Sequence, residues 1–97
     1  MQLGQQMQGR FAEMQTELAQ RTVTGSAGGG IVTVEADGRG KVRSVHIDPS
    51  LLGGDGEMLE DLVAAAVADM QERAADAAQG EMRKLQGALP FPLPFSL

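Results

Sequence analysis

The sequence predicts an α+β fold, ordered helix, three-stranded antiparallel sheet, long helix, and three observations carry that expectation. Residues 1–21 repeat apolar side chains at helical spacing, and residues 22–47 hold β-branched runs broken by glycine turns. From Leu59 to Ala77 one continuous apolar stripe of helical period marks a second helix that starts after Asp55 and reaches about Gln86. The chain has 97 residues, 42% of them hydrophobic, which fits one small domain over 1–86 followed by a Pro-rich, extended and mobile segment over 87–97.

In the first helix Met7, Phe11, Met14 and Leu18 stand four, three and four apart, a narrow seam suited to one partner helix. Gly4 and Gly9 weaken its opening turns. Thr22-Val23-Thr24 is a short first strand, and Gly25 to Gly30 reads as a flexible turn. Residues 31–36 and 41–47 flank Asp37-Gly38-Arg39-Gly40 as a hairpin. Pairing Ala36 with Lys41 puts Val32, Val34, Val45 and Ile47 on one face, to be buried, and Thr33, Glu35, Ser44 and His46 on the other. Lys41 and Arg43 then share a face opposite Glu35.

Asp48-Pro49 ends the last strand. Asp55 caps the second helix, and Glu57, Glu60 and Asp61 suit its positive first turns. The stripe there is Leu59, Leu62, Val63, Ala66, Val67, Met70, Ala74 and Ala77. A helix of roughly 30 residues spans ~45 Å, longer than a three-stranded sheet is wide, so its overhang needs a partner.

Composition points the same way. There is no Cys, Trp or Tyr, and only three Phe, so large aromatic burial is nearly missing. Small domains short of core, disulfide and metal commonly oligomerise, and a homodimer is the expected state, with Met7, Phe11, Met14, Leu18, Val67 and Met70 at the interface. The absence of cysteine excludes disulfides, thiolate metal sites and thiol catalysis. Residues 1–20 lack the apolar core of a signal peptide, and no apolar run is long enough to cross a bilayer, which makes the cytoplasm the expected compartment.

The net charge of −5 arises entirely after residue 54, where Arg73, Arg83 and Lys84 face eight acids. The hairpin holds Arg39, Lys41 and Arg43 within five residues, a cluster that reads either as edge protection or as a phosphate contact doubled in a dimer. Arg21 stands four after Glu17 and Arg73 four after Asp69, ordinary helix pairs, and Arg10 can pair with Glu13. Arg83 and Lys84 suit a helix C-terminus and lie where a projecting arm would grip. The glycine clusters lack a following Gly-Lys-Ser/Thr and do not open a helix, so they are turns and not phosphate loops. His46 is a lone strand histidine, and the acids Glu57, Glu60 and Asp61 complement the helix dipole; no metal site, cofactor or catalytic group is expected.

Several motifs together are more specific. Gln5-Gln6-Met7-Gln8 is followed by Val23-Thr24-Gly25, Gly28-Gly29-Gly30 and Val32-x-Val34. Then come Val45-x-Ile47-Asp48-Pro49-Ser50-Leu51-Leu52 and Glu57-Met58-Leu59-Glu60-Asp61-Leu62-Val63-Ala64-Ala65-Ala66. Over essentially the whole chain this resembles the YbaB/EbfC family of bacterial nucleoid-associated proteins. The resemblance implies a tweezer-like α+β homodimer that binds double-stranded DNA and helps organise the chromosome, located in the nucleoid, without catalysis, membrane or small-molecule substrate. It also implies contact through basic residues of the projecting helices and sheet surface, which here are Arg39, Lys41, Arg43, Arg83, Lys84, Arg10 and Arg21. Scarce aromatics disfavour stacking on single strands, leaving duplex phosphates and DNA shape as the features read. The other reading is a dimeric scaffold that recruits proteins through its acidic helix and Pro-rich end.

Overall fold

The computed structural model describes Gln2 to Gly87, with side chains from Gln8 onward. Helix α1 (Gln2–Gln20) leads into strands β1 (Thr22–Ala27), β2 (Val32–Asp37) and β3 (Val42–Ile47). A single 3-10 turn (Pro49–Leu51) then precedes helix α2 (Gly56–Gly87). The sheet is antiparallel in the order β1-β2-β3. The expected α-β-β-β-α order is the one observed; the expected extended segment 87–97 lies, beyond Gly87, outside the described residues.

The core lies between α2 and one face of the first two strands. Val32, Val34 and Ala36 are fully buried beneath Ala66, Met70 and Ala74, with Val23 beside them. Leu59, Leu62, Val63, Val67 and Ala77 flank this cluster, so every member of the apolar stripe read from the sequence faces it. The opposite face carries Thr22, Thr24, Glu35, Ser44 and His46, all exposed.

Two features differ from expectation. Strand β1 continues through Gly25, Ser26 and Ala27, where a turn was expected. Gly25 faces α2 so closely that a Cβ there would collide with the Met70 amide and the Ala66 carbonyl and lie 2.7 Å from Met70 Cα. This glycine serves helix approach; the turn begins at Gly28, and Gly28, Gly29 and Gly30 take the positive φ values of 64°, 74° and 100° that only glycine adopts freely.

The β2–β3 register is also shifted. Val32 pairs with Ile47, Val34 with Val45 and Glu35 with Ser44, while a bulge brings Ala36 opposite Val42 and not Lys41. The four apolar residues still share a face, but α2 covers only β1 and β2, so Val42 and Val45 each remain 46% exposed. The bulge turns Arg43 to the polar face, away from the arrangement expected beside Lys41, and its guanidinium donates to the Ala19 carbonyl at 2.6 Å and to Thr22 Oγ1 at 3.4 Å.

Side chains tie these elements together. The Asp55 carboxylate accepts from the Glu57 N–H at the start of α2, as expected of a cap. The Asp69 carboxylate accepts from the Ser26 N–H at 3.0 Å, closing part of the free edge of β1, and from Arg73 Nε at 3.2 Å. The Gly38 N–H donates to the Leu18 carbonyl at 2.7 Å, fastening the end of α1 to the hairpin. Past Ala77, α2 leaves the sheet and runs beside α1, in a molecule measuring 60 × 25 × 16 Å. Among the described residues no helix is long and apolar enough to cross a membrane.

Two outcomes are expected of this packing. Gly25→Ala forces α2 off β1 and lowers stability by about 2–3 kcal/mol, roughly 10–20 °C in Tm; an unchanged melting curve refutes the close approach. The second concerns pH. The Ser26 N–H, opposed by burial and helped by Arg73, holds the Asp69 carboxyl below its ordinary 3.8. Its contribution is therefore complete above the unfolded value and is lost as pH falls through the lower folded one. Asp69→Asn should be less stable than the parent in urea at pH 7 and close to it at about pH 2, and a gap that does not narrow on acidification contradicts the assignment.

Candidate nucleic-acid interface

Cations gather at two places. The first is the β2–β3 turn. Asp37 is 4% exposed, and its carboxylate accepts the backbone N–H groups of Arg39 at 2.8 Å and Lys41 at 3.0 Å. Its own N–H donates to the Lys41 carbonyl, and Gly40 completes the turn at φ +88°. The Lys41 N–H, opposed by burial and joined by the Arg39 N–H and the charges of Arg39 and Arg43, holds the Asp37 carboxyl below its ordinary value. The acid is thus occupied with the backbone, while the Arg39 and Lys41 side chains are exposed, with no ion pair among the described residues. Arg43 is spent differently, on the carbonyl end of α1.

The second place is the distal stretch where α1 lies against α2. Glu81 is 4% exposed, and its Oε1 accepts from Arg21 at 3.0 Å and from Lys84 at 3.2 Å. The hydrogen bond from Lys84, against the effect of burial, keeps this carboxyl below its ordinary 4.5, and the charges of Lys84 and Arg21 add to it. Arg10, Glu13 and Glu17 complete the lining of the adjoining hollow, about 150 Å³, together with Met14 and Leu85. Arg21 therefore bridges to α2 in place of the expected pairing with Glu17, whereas Arg73 and Asp69 pair as expected. Arg83 is exposed one position before Lys84.

Of the seven basic residues singled out, the turn presents Arg39 and Lys41, Glu81 brings Arg21 and Lys84 together beside Arg10, Arg83 is exposed without a contact to them, and Arg43 is held on the carbonyl end of α1. The residue that sequence reasoning missed is Glu81. Its signal was present: it falls at the next helical step of the stripe after Met70, Ala74 and Ala77, so an acid there is directed inward and requires a cation.

The residues expected between two copies are placed unevenly. Met14, Leu18 and Met70 are already buried within one chain, at 7%, 3% and 1% exposure, and Val67 flanks the same core. Phe11 stays 49% exposed, and the Met7 side chain lies outside the described ones. The large apolar surface left open on the sheet is instead that of Val42 and Val45 on β3. His46, Glu57, Glu60 and Asp61 are exposed, and no cluster of three metal-ligating side chains occurs among the described residues.

Comparison with known proteins fits this architecture. A nucleoid-associated protein of Gemmatimonas aurantiaca is 50% identical over 92 residues, covering 92% of this chain and 88% of its own. A nucleoid-associated protein of Desulfotalea psychrophila is 43% identical over 93 residues, 95% of this chain and 88% of its own. The crystal structure of an uncharacterized Helicobacter pylori protein superposes with a TM-score of 0.78 at 24% identity, over 86% of this chain and 88% of that one, a likeness of fold. The model of the YbaB/EbfC DNA-binding family matches residues 1–89, and the chain belongs to that family.

Proposed function

We propose that this protein is a nucleoid-associated protein that binds double-stranded DNA as a homodimer, chiefly through phosphate contacts and DNA shape, and so helps organise the bacterial chromosome or regulate expression. The observation that carries the reading is membership of a DNA-binding family, joined to relatives named nucleoid-associated at 50% and 43% identity. The geometry supplies a means. Arg39 and Lys41 stand out from a turn whose one acid is occupied internally, Arg10 and Lys84 line the hollow between the helices, Arg83 is exposed beside Lys84, and Arg21 reaches Glu81 from the junction of α1 and β1. Phe11 is the single aromatic side chain among the described residues, so phosphates are the natural target.

The dimer rests on β3. Val42 and Val45 are each 46% exposed on the apolar face, beside a core that stops at β2, and a second copy supplies the missing cover. Pairing doubles the turn cations, which gives a protein of net charge −5 a local surface able to hold phosphate despite its total.

Duplex binding is expected to weaken steeply with salt. Arg39→Ala with Lys41→Ala should flatten the log–log slope by up to about 3–4, near 0.9 for each of the four phosphates that the two turns of a dimer no longer neutralise. An unchanged slope removes the turn from the interface, and undetectable binding at low salt favours the protein scaffold instead. In sedimentation velocity at micromolar concentration the parent should run as a dimer and Val45→Asp as a monomer. A monomeric parent, or a dimeric variant, rejects the β3 contact.

A further inference from the structure

Two carboxylates, Asp37 and Glu81, are buried to the same degree, each 4% exposed, and each lies beside basic residues. They are spent in opposite ways. Asp37 accepts backbone N–H groups, which leaves the Arg39 and Lys41 side chains their full charge. Glu81 accepts side-chain donors: its Oε1 takes both Arg21 Nη2 at 3.0 Å and Lys84 Nζ at 3.2 Å. Both cations remain reachable from outside, Arg21 with 42% of its side chain exposed and Lys84 with 69%. Two bases at the surface thus share one carboxylate that water scarcely touches.

The fold itself does not require an acid there. Glu81 follows Ala77 on the inward side of α2, beside Met14 and Leu85, where an apolar side chain would carry no desolvation cost. What the acid does is subtract charge. In and around the hollow Arg10, Arg21 and Lys84 are opposed by Glu13, Glu17 and Glu81, so the cluster is formally neutral where it would otherwise carry one positive charge. Glu13 and Glu17 form no ion pair among the described residues, so Glu81 is the acid that engages the cations directly. At cellular salt exposed charges act over about 8 Å, and an approaching phosphate therefore meets this local sum and not the total of −5.

We propose that Glu81 is a built-in restraint on duplex binding: it draws from Arg21 and Lys84 the charge and hydrogen bonds that a DNA phosphate would otherwise take, so that the two bases offer one net positive charge instead of two. The inference rests on the DNA-binding reading above and adds to it a residue whose presence lowers affinity.

The test is a salt titration of full-length protein on a mixed-sequence DNA duplex. Glu81→Gln keeps the volume and an acceptor for both cations but removes the charge. It should tighten binding at 0.1 M salt by about fivefold or more and steepen the log–log slope by about 0.9 for each copy of the chain. Glu81→Met, which buries no polar group, should do the same and serves if the amide variant does not fold. Glu60→Gln removes an equal charge from an exposed position about 30 Å away along α2 and should alter neither quantity. Adding Lys84→Gln to Glu81→Gln should bring the slope back to that of the parent, because the triad again carries a single positive charge. If the parent binds duplex but neither Glu81 variant binds tighter, or Glu60→Gln gains as much, or the added Lys84→Gln leaves the slope steep, the restraint is refuted and the DNA reading stands. A parent that binds no duplex at low salt refutes both.

Discussion

The close contact between α2 and β1 at Gly25 fixes the layout of the whole domain. Without a side chain at that point, the helix backbone at Ala66 and Met70 lies directly on the strand, and the small Ala66 and Ala74 keep it there. A helix drawn this tightly over β1 covers β2 as well, but its width is used up before it reaches β3. One choice at one residue therefore accounts for both the dense core over two strands and the apolar surface left open on the third. The Asp69 carboxylate, bonded to the Ser26 N–H, holds the helix in register over that edge.

The same placement governs the distal end. The stripe on α2 is longer than the sheet beneath it, and beyond Ala77 the inward-facing position is Glu81. Burying a carboxylate is unfavourable unless cations and hydrogen bonds meet it, and here Arg21 from the end of α1 and Lys84 from the next turn both do. An apolar residue at this position would serve stability as well or better. A buried acid adds specificity of position, because only an arrangement that brings Arg21 to it is satisfied. The angle between the two helices is thereby set by an ion triad in addition to the packing of Met14 and Leu18.

Much of this was legible from the residues. The α2 stripe, the hairpin about Asp37-Gly38, the Asp55 cap and the end of β3 at Asp48-Pro49 follow from periodicity and turn chemistry, which act over a few residues. What could not be read depends on contacts distant in sequence. Gly25 looks like a turn residue by local preference, yet it is a strand residue because α2, forty residues later, lies against it. The bulge at Arg43 goes with its guanidinium bonding to Ala19 and Thr22, distant partners that strand alternation alone does not reveal. Met14 and Leu18 were legible as a seam, but whether the same chain or another would cover them was not.

These contacts also sort the basic residues by how much of their charge is available. Arg43 and Arg73 are committed to a helix carbonyl and to Asp69, and Arg21 and Lys84 share one carboxylate, so that triad retains a single positive charge at a partly exposed site. Arg39 and Lys41 have no such commitment among the described residues, because the neighbouring acid is held by their own backbone amides. Asp37 thereby does two things at once: it shapes the turn that projects the cations, and its buried oxygens are kept from pairing with their side chains. In an acidic chain, a phosphate-binding surface is defined less by the number of basic residues than by which of them the fold leaves unpaired. On that criterion Arg39 and Lys41 at the β2–β3 turn stand level with Arg10 and Arg83 on the helix pair, none of them held in an ion pair among the described residues. The turn differs in that its nearest acid is taken up by backbone amides, whereas Arg10 shares its hollow with Glu13, Glu17 and Glu81.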